Sequence, residues 1–179
     1  MIPWNNWYHC NGNTYGTWLR GDPRGFRERH HRSHIEGDYR NPPQKGLHDA
    51  KLRMSHSKMK RSAVYLSRDE YEIAGLGMVQ NLQRHDVVVL ALCLDDHHFH
   101  LLARFPDRRP RWWIGRAKLH SSRLLVDRRR ERTIWAKRCR CLPITDRGHQ
   151  VNTFQYISQH ADRGAYVWTF RDALPSPNG

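Results

Sequence analysis

Apolar residues recur along this chain in two rhythms, and one long stretch has neither. Residues 4–10 are rich in aromatic side chains and end at Asn11-Gly12-Asn13, a turn cluster, which predicts a first strand. From 21 to about 59, Gly, Pro, Arg and His dominate with no periodic apolar signal, as in Gly21-Asp22-Pro23-Arg24-Gly25, Arg29-His30-His31-Arg32 and Asn41-Pro42-Pro43. This reads as a long basic insertion, not a second domain, and structureless segments of that length are usually functional or partly disordered. Ser67-Arg68-Asp69-Glu70 has the form of a capping box that opens a helix to about Gln83, with Ile73, Leu76, Val79 and Leu82 as its buried stripe and Gly75 and Gly77 as weak points. The unbroken run 86–94 suits a central strand buried on both faces. A second strand follows from about 97 to 105, then a turn over 106–110. A helix over 111–126 turns Trp113, Ala117, Leu124 and Leu125 inward and Arg116, Lys118 and Arg123 outward. A short strand over 133–141 and a helix over 151–162 complete the order. That order predicts an α+β fold with helices over one face of a mainly antiparallel sheet.

Length and charge narrow the function classes. The 179 residues suit a single domain, and 31 Lys and Arg against 17 Asp and Glu leave a net charge of +14, with 13 His uncounted. Such a balance, with a pI near 10.3, predicts a polyanionic partner, nucleic acid or an acidic membrane surface. No apolar run reaches the ~18 to 20 residues that span a bilayer, and the start Met1-Ile2-Pro3-Trp4 lacks the plan of a signal peptide. A cytoplasmic protein with nucleic acid as its partner and no membrane association is therefore expected. Cys10, Cys93, Cys139 and Cys141 contain no CxxC pair, which argues against a zinc ribbon and a disulfide framework. Cys139 and Cys141 alternate on a short strand and read as buried or free thiols, not ligands.

The chemistry concentrates in His97-His98-Phe99-His100-Leu101-Leu102-Ala103-Arg104-Phe105. Strand alternation puts His98, His100, Leu102 and Arg104 on one face and the apolar Phe99, Leu101, Ala103 and Phe105 on the other, so the histidine face is expected to be the open one. Two imidazoles two residues apart on a strand stand roughly 7 Å apart, close enough to share one metal ion. In the last helix, steps of 100° gather Val151, Phe154, Ile157 and Ala161 in one apolar sector and set Tyr156 beside His160 in another. A divalent cation held by His98, His100 and His160 would polarise a phosphodiester oxygen while the Tyr156 phenol attacks phosphorus in line. No cluster of carboxylates suited to a two-metal nuclease is visible in the sequence.

His98-Phe99-His100 resembles the HUH motif, and Tyr156-Ile157-Ser158-Gln159-His160 resembles the tyrosine helix of single-tyrosine HUH transposases, enzymes of small insertion sequences that move as single-stranded DNA. Trp135-Ala136-Lys137 and Thr14-Tyr15-Gly16-Thr17-Trp18-Leu19-Arg20-Gly21-Asp22 are similar to further segments of that family. The resemblance spans the first strand and residues 62–168, in the family's order. Its usual pattern has Gln four residues after the tyrosine; here His160 stands there and Gln159 one position earlier, and helical phase favours His160 as third ligand. The resemblance implies a ferredoxin-like or RRM-like sheet, a divalent metal such as Mg²⁺ or Mn²⁺, and a covalent 5′-phosphotyrosine intermediate. It also implies recognition of DNA hairpins near element ends and a homodimer, with the tyrosine helix serving either its own or the partner's site. One 1–179 HUH transposase-like domain with 21–59 as a basic loop insertion is the organisation expected.

Basic residues supply a path for the DNA backbone: Arg116, Lys118 and Arg123 on the helix, the run Arg128-Arg129-Arg130, and Lys58-Met59-Lys60-Arg61, with Trp112 available to stack on a base. A solvated face explains any one of these nearly as well. The cluster His30, His31 and His34 lies in the least regular stretch and is not read as a zinc site. Two other functions fit the same residues: a domesticated relative of the REP-associated tyrosine transposases or replication-initiation nickase, and a non-catalytic RRM-like nucleic-acid-binding protein.

Overall fold

The computed structural model describes residues 4–26, 44–129 and 133–173. Its elements run β1 (Trp7–Asn13), α1 (Asp49–Ser57), α2 (Arg68–Gln83), β2 (Val88–Leu94), β3 (His98–Arg104), α3 (Pro110–Leu124), β4 (Arg140–Pro143), α4 (Arg147–Ser158) and β5 (Tyr166–Thr169), with 3₁₀ turns at Gln159–Arg163 and Phe170–Ala173. The strands form one antiparallel sheet in the order β4-β1-β3-β2-β5. This is an α+β fold of the ferredoxin-like or RRM-like kind. Among the described residues, no helix is long and apolar enough to cross a membrane.

The register explains how the sheet sorts its residues. Leu101 pairs with Leu92, and His100 pairs with Cys93 on the opposite face. The Leu92 and Leu101 face lies under α2 and α3: Gly75 of α2 sits against Leu92 and Tyr166, and Lys118 of α3 stands 5.4 Å from the centre of the Phe99 ring. On the histidine face, Ile157 of α4 packs with Ala91, Cys93, Leu102 and Ile144. The face expected to be open is therefore covered at its middle by α4. Its physical reason is the apolar floor of Ala91, Cys93 and Leu102 beside His100, which would otherwise face water.

Ile157 is fully buried in that layer, one residue from Tyr156. Ile157→Ala is expected to cost about 2–5 kcal/mol, measured as a lower urea midpoint, and to loosen the docking of the tyrosine helix on the sheet.

Several element details depart from the linear pattern. In α2 the capping box forms, with Glu70 Oε2 accepting the Ser67 N–H at 2.8 Å. The buried face, however, is Ala74, Gly75, Gly77, Met78, Val79 and Leu82, and Leu76 is 42% exposed. Both glycines are contact points: a Cβ at Gly75 would lie 2.6 Å from the Tyr166 ring, and one at Gly77 would lie 2.4 Å from Leu124 of α3. Close approach, not side-chain volume, sets which face turns inward.

In α3, Leu124 is exposed and Lys118 is buried, the reverse of the expected pattern. Its ammonium donates to the carbonyls of Ala136 and Arg138 at 3.1 and 3.2 Å, which satisfies the buried charge and ties α3 to the segment before β4.

Helix α4 begins at Arg147 because Asp146 caps it, its Oδ1 accepting the His149 N–H at 2.8 Å. Of its expected apolar sector only Ile157 is fully buried; Val151 and Ala161 are exposed, while Gln150 and Thr153 are buried. The strand expected over 133–141 is reduced to a bridge of Trp135 with Thr14 and the four residues of β4.

Residues 15–64 form a compact unit apart from the one built of 1–14 and 65–179. Within it, the Trp18 indole donates to the Gly25 carbonyl at 2.7 Å, and buried Asp22 pairs with Arg24 at 2.7 Å. Helix α1 falls inside the stretch read as an irregular insertion. Residues 50–54 are mostly good helix formers, but none of the helix is buried, so no apolar period betrays it. His30, His31, His34 and Arg130 lie outside the described residues.

Candidate metal and tyrosine site

His98 and His100 enter the site from central β3, and His160 comes from the 3₁₀ turn after α4. Their ligand nitrogens all lie within 4.8 Å of one another, so three imidazoles from two elements form a group able to hold a divalent ion. His98 is half-buried and the other two are buried. Tyr156, on the last turn of α4, is 41% exposed and sets its hydroxyl 3.4 Å from His100 Nε2. Its ring meets those of His100 and His160 edge to face, at 5.1 and 4.8 Å between centres. Tyr156 and His160, four residues apart, share one face, and His98 and His100, two apart on the strand, share another; the packing of α4 on the sheet brings the two pairs to one point.

Each histidine is held from behind. His98 Nδ1 lies 2.6 Å from Asp95 Oδ2, His100 Nδ1 lies 3.0 Å from His9 Nε2, and His160 Nδ1 lies 2.8 Å from the Tyr156 carbonyl, to which it donates. With a polar atom within 3.0 Å of every Nδ1, Nε2 is the nitrogen left for coordination in all three rings. Three imidazoles are a donor set that can hold a divalent ion and suits transition ions best. Asp95 also accepts from the backbone N–H groups of His97 and His98 at 3.0 and 2.7 Å. It therefore closes the turn before β3 while orienting a ligand. Asp95, His97 and His98 form a second grouping of possible ligand atoms, sharing His98 with the first.

Burial dominates the electrostatics. It pushes His100 well below the ordinary imidazole range, helped by the neighbouring His98, His9 and His160. Burial also lowers His160, with the bond to the Tyr156 carbonyl opposing the shift. His9 is pushed down to about 4 by burial, with His149, Arg140 and His160 adding to it. Asp95 resists ionisation through burial, but the His98 ring and the His97 and His98 backbone outweigh this and hold it down at about 2. Downward shifts at His100 and His160 favour the neutral imidazoles that metal binding requires.

These shifts set a pH dependence of stability. The unfolded chain protonates His9 near 6.5, whereas the folded protein resists until about pH 4. Acid therefore favours the unfolded chain: the stability is intact above 6.5 and is lost progressively as pH falls toward 4. The His9 contribution is on the order of 3 kcal/mol, and His100 and His160 act in the same direction. Urea unfolding of the metal-free protein is expected to show a falling midpoint across this window, with a shallower fall in His9→Gln.

The basic residues singled out in the sequence are not gathered at this site. Arg116 and Arg123 are exposed on α3, on the far side of the sheet from the histidines, and Arg128 is exposed just beyond it. Lys118 is buried within that layer. Arg129 pairs with Glu70 at 2.6 Å and donates to the Tyr65 carbonyl, so it clamps α2. Trp112 is exposed, with Arg109 and Arg116 over its ring at 5.6 and 5.0 Å. A cleft of about 430 Å³ beside it is lined by Tyr8, Arg108, Arg109, Arg111 and Cys141.

His9, Asp95 and Arg140 were missed as site residues. Alternation along β1 puts His9 and Asn11 on the histidine face, with Asn11 opposite both His100 and Arg140. That face was readable in the sequence, but the pairing of β1 with β3 was not.

No family model matches the sequence, and no curated protein matches it. Among solved structures, a REP-associated tyrosine transposase bound to a REP hairpin is similar over 89% of this chain and 68% of that one, with 12% identity and a TM-score of 0.47.

Proposed function

We propose that the protein is a metal-dependent endonuclease and strand-transferase of single-stranded DNA, acting through a 5′-phosphotyrosine formed on Tyr156. The observation that carries this reading is the Tyr156 hydroxyl at 3.4 Å from Nε2 of His100, within a group of three histidines whose Nδ1 atoms each lie within 3.0 Å of another polar atom. An ordinary exposed tyrosine on a helix needs no such company.

His98, His100 and His160 are the residues to hold the ion, Mg²⁺ or Mn²⁺. When bound, the ion supplies positive charge that polarises a non-bridging phosphate oxygen and favours the phenolate. The remaining steps belong to the chain. Tyr156 Oη forms a bond to phosphorus while the bond to the 3′ oxygen breaks; the phenol loses one proton and the departing 3′-OH gains one. The new phosphotyrosine is itself a phosphodiester, so a 3′-OH from another strand reverses the step and joins ends without an external energy source. Arg140 and Arg163, whose charges act on His9 and His160, add positive potential for the scissile phosphate. Exposed Trp112 with Arg109 and Arg116 offers stacking and backbone contact further along a strand. A hairpin near an element end is the recognition feature, and a homodimer the working form, that the family resemblance brings to this reading.

The test is incubation of the protein with labelled single strands carrying hairpins, with Mn²⁺ or Mg²⁺, followed by denaturing electrophoresis. A labelled band at the mass of protein plus DNA is expected. Its absence under both ions, with folded protein, would overturn the nuclease reading in favour of a non-catalytic nucleic-acid-binding module.

A further inference from the structure

The geometry points to His9 as a positioning residue that selects the ligating form of His100. This rests on the reading of His98, His100 and His160 as metal ligands. His9 stands on β1 with Leu102 on one side and Leu142 on the other as its register partners. Between two leucines a strand residue gains most from an apolar side chain, so packing gives no reason for an imidazole. Its ring instead leans toward His100, with 5.2 Å between centres and planes 33° apart, and brings Nε2 to 3.0 Å from His100 Nδ1.

A neutral imidazole carries one proton, and a ring that ligates through Nε2 must carry it on Nδ1. In water that N–H finds an acceptor anywhere; His100 is buried, and its N–H must find one inside the protein. His9 Nε2 is the acceptor at hand. Without it, His100 either leaves a buried donor unpaired or takes the other tautomer, with the proton on the nitrogen that should face the ion. The other two ligands are served by other groups, His98 by the Asp95 carboxylate and His160 by a backbone carbonyl. His9 thus completes a set in which each of three ligands has its own acceptor, one anionic and two neutral. A single carboxylate behind three imidazoles leaves most of the cation's charge available to the phosphate. Histidine at this place also makes the ligating state depend on a residue from a different strand, joining metal affinity to the β1–β3 pairing.

Mn²⁺ binding by the full chain, followed by calorimetry and by the electron-spin signal of free Mn²⁺, tests this. His9→Phe keeps the ring volume and removes the acceptor, and is expected to weaken Mn²⁺ binding about 10–100-fold. His9→Gln puts an amide oxygen near the position of Nε2 and is expected to restore most of the affinity. His9→Phe that keeps the wild-type circular dichroism and metal-free melting temperature yet binds Mn²⁺ as tightly overturns the assignment. If wild type itself binds no Mn²⁺, the ligand reading fails, and the role of His9 with it. A third measurement does not depend on the variant folding: ¹⁵N spectra of metal-free wild type should show His100 protonated at Nδ1 and bare at Nε2. The opposite tautomer overturns the assignment.

Discussion

Tyr156→Phe is expected to abolish the covalent protein–DNA adduct and to lower strand cleavage by at least about 10³-fold, the scale of removing a nucleophile. The substitution is a sharp one because it deletes a single oxygen. The ring that remains can keep its edge-to-face contacts with His100 and His160. Since Tyr156 is half-exposed and its hydroxyl meets His100 Nε2 at a long 3.4 Å, stability should change by less than about 1 kcal/mol. Metal affinity should likewise stay within a few-fold. Adduct formation, urea midpoint and Mn²⁺ affinity measured on one preparation therefore separate chemistry from folding. An adduct that persists in Tyr156→Phe moves the nucleophile to another residue; an adduct lost together with stability says that the hydroxyl was structural.

His98→Ala and His100→Ala are expected to cut metal affinity and cleavage by at least about 100-fold each, while binding of single-stranded DNA in metal-free buffer stays within about two-fold. The contrast follows from the architecture. Both histidines lie on the face of the sheet covered by α4, whereas Trp112, Arg116 and Arg123 project from α3 beyond the opposite face. The two variants should differ in stability. His100 is buried and bonded to His9, so His100→Ala leaves a cavity and an orphaned partner, whereas half-buried His98 leaves a smaller gap. Fluorescence anisotropy with a labelled strand, beside Mn²⁺ titration, checks the prediction. Equal loss of DNA binding and metal binding would mean that the histidines hold the fold.

Much of this site was legible because its two halves carry strong local periods. A strand period of two aligns His98 with His100, and a helical step of four aligns Tyr156 with His160, so each pair shares a face before any fold is known. The capping box at Ser67 is legible for the same reason, since its partners lie three residues apart. Less visible were contacts made between elements. Gly75 and Gly77 look like helix weaknesses along the chain, and only the approach of Tyr166 and Leu124 shows them to be packing points. Lys118 has the chemistry of a surface residue and is buried because two carbonyls from another segment meet its ammonium. Arg129 belongs to a basic run in the sequence and to Glu70 in the fold.

The amino-acid order alone identifies which histidines and tyrosine share a face, the strand and the helix region that carry them, and a charge of +14. Those properties depend on composition and on neighbours within a turn or two of the chain, where backbone geometry alone dictates which side chains meet. Packing between distant elements sets α4 over the histidine face, His9 behind His100, and the basic helix across the sheet from the histidines. These depend on strand order and on burial. No local rule encodes which distant segment supplies the acceptor that a buried N–H requires.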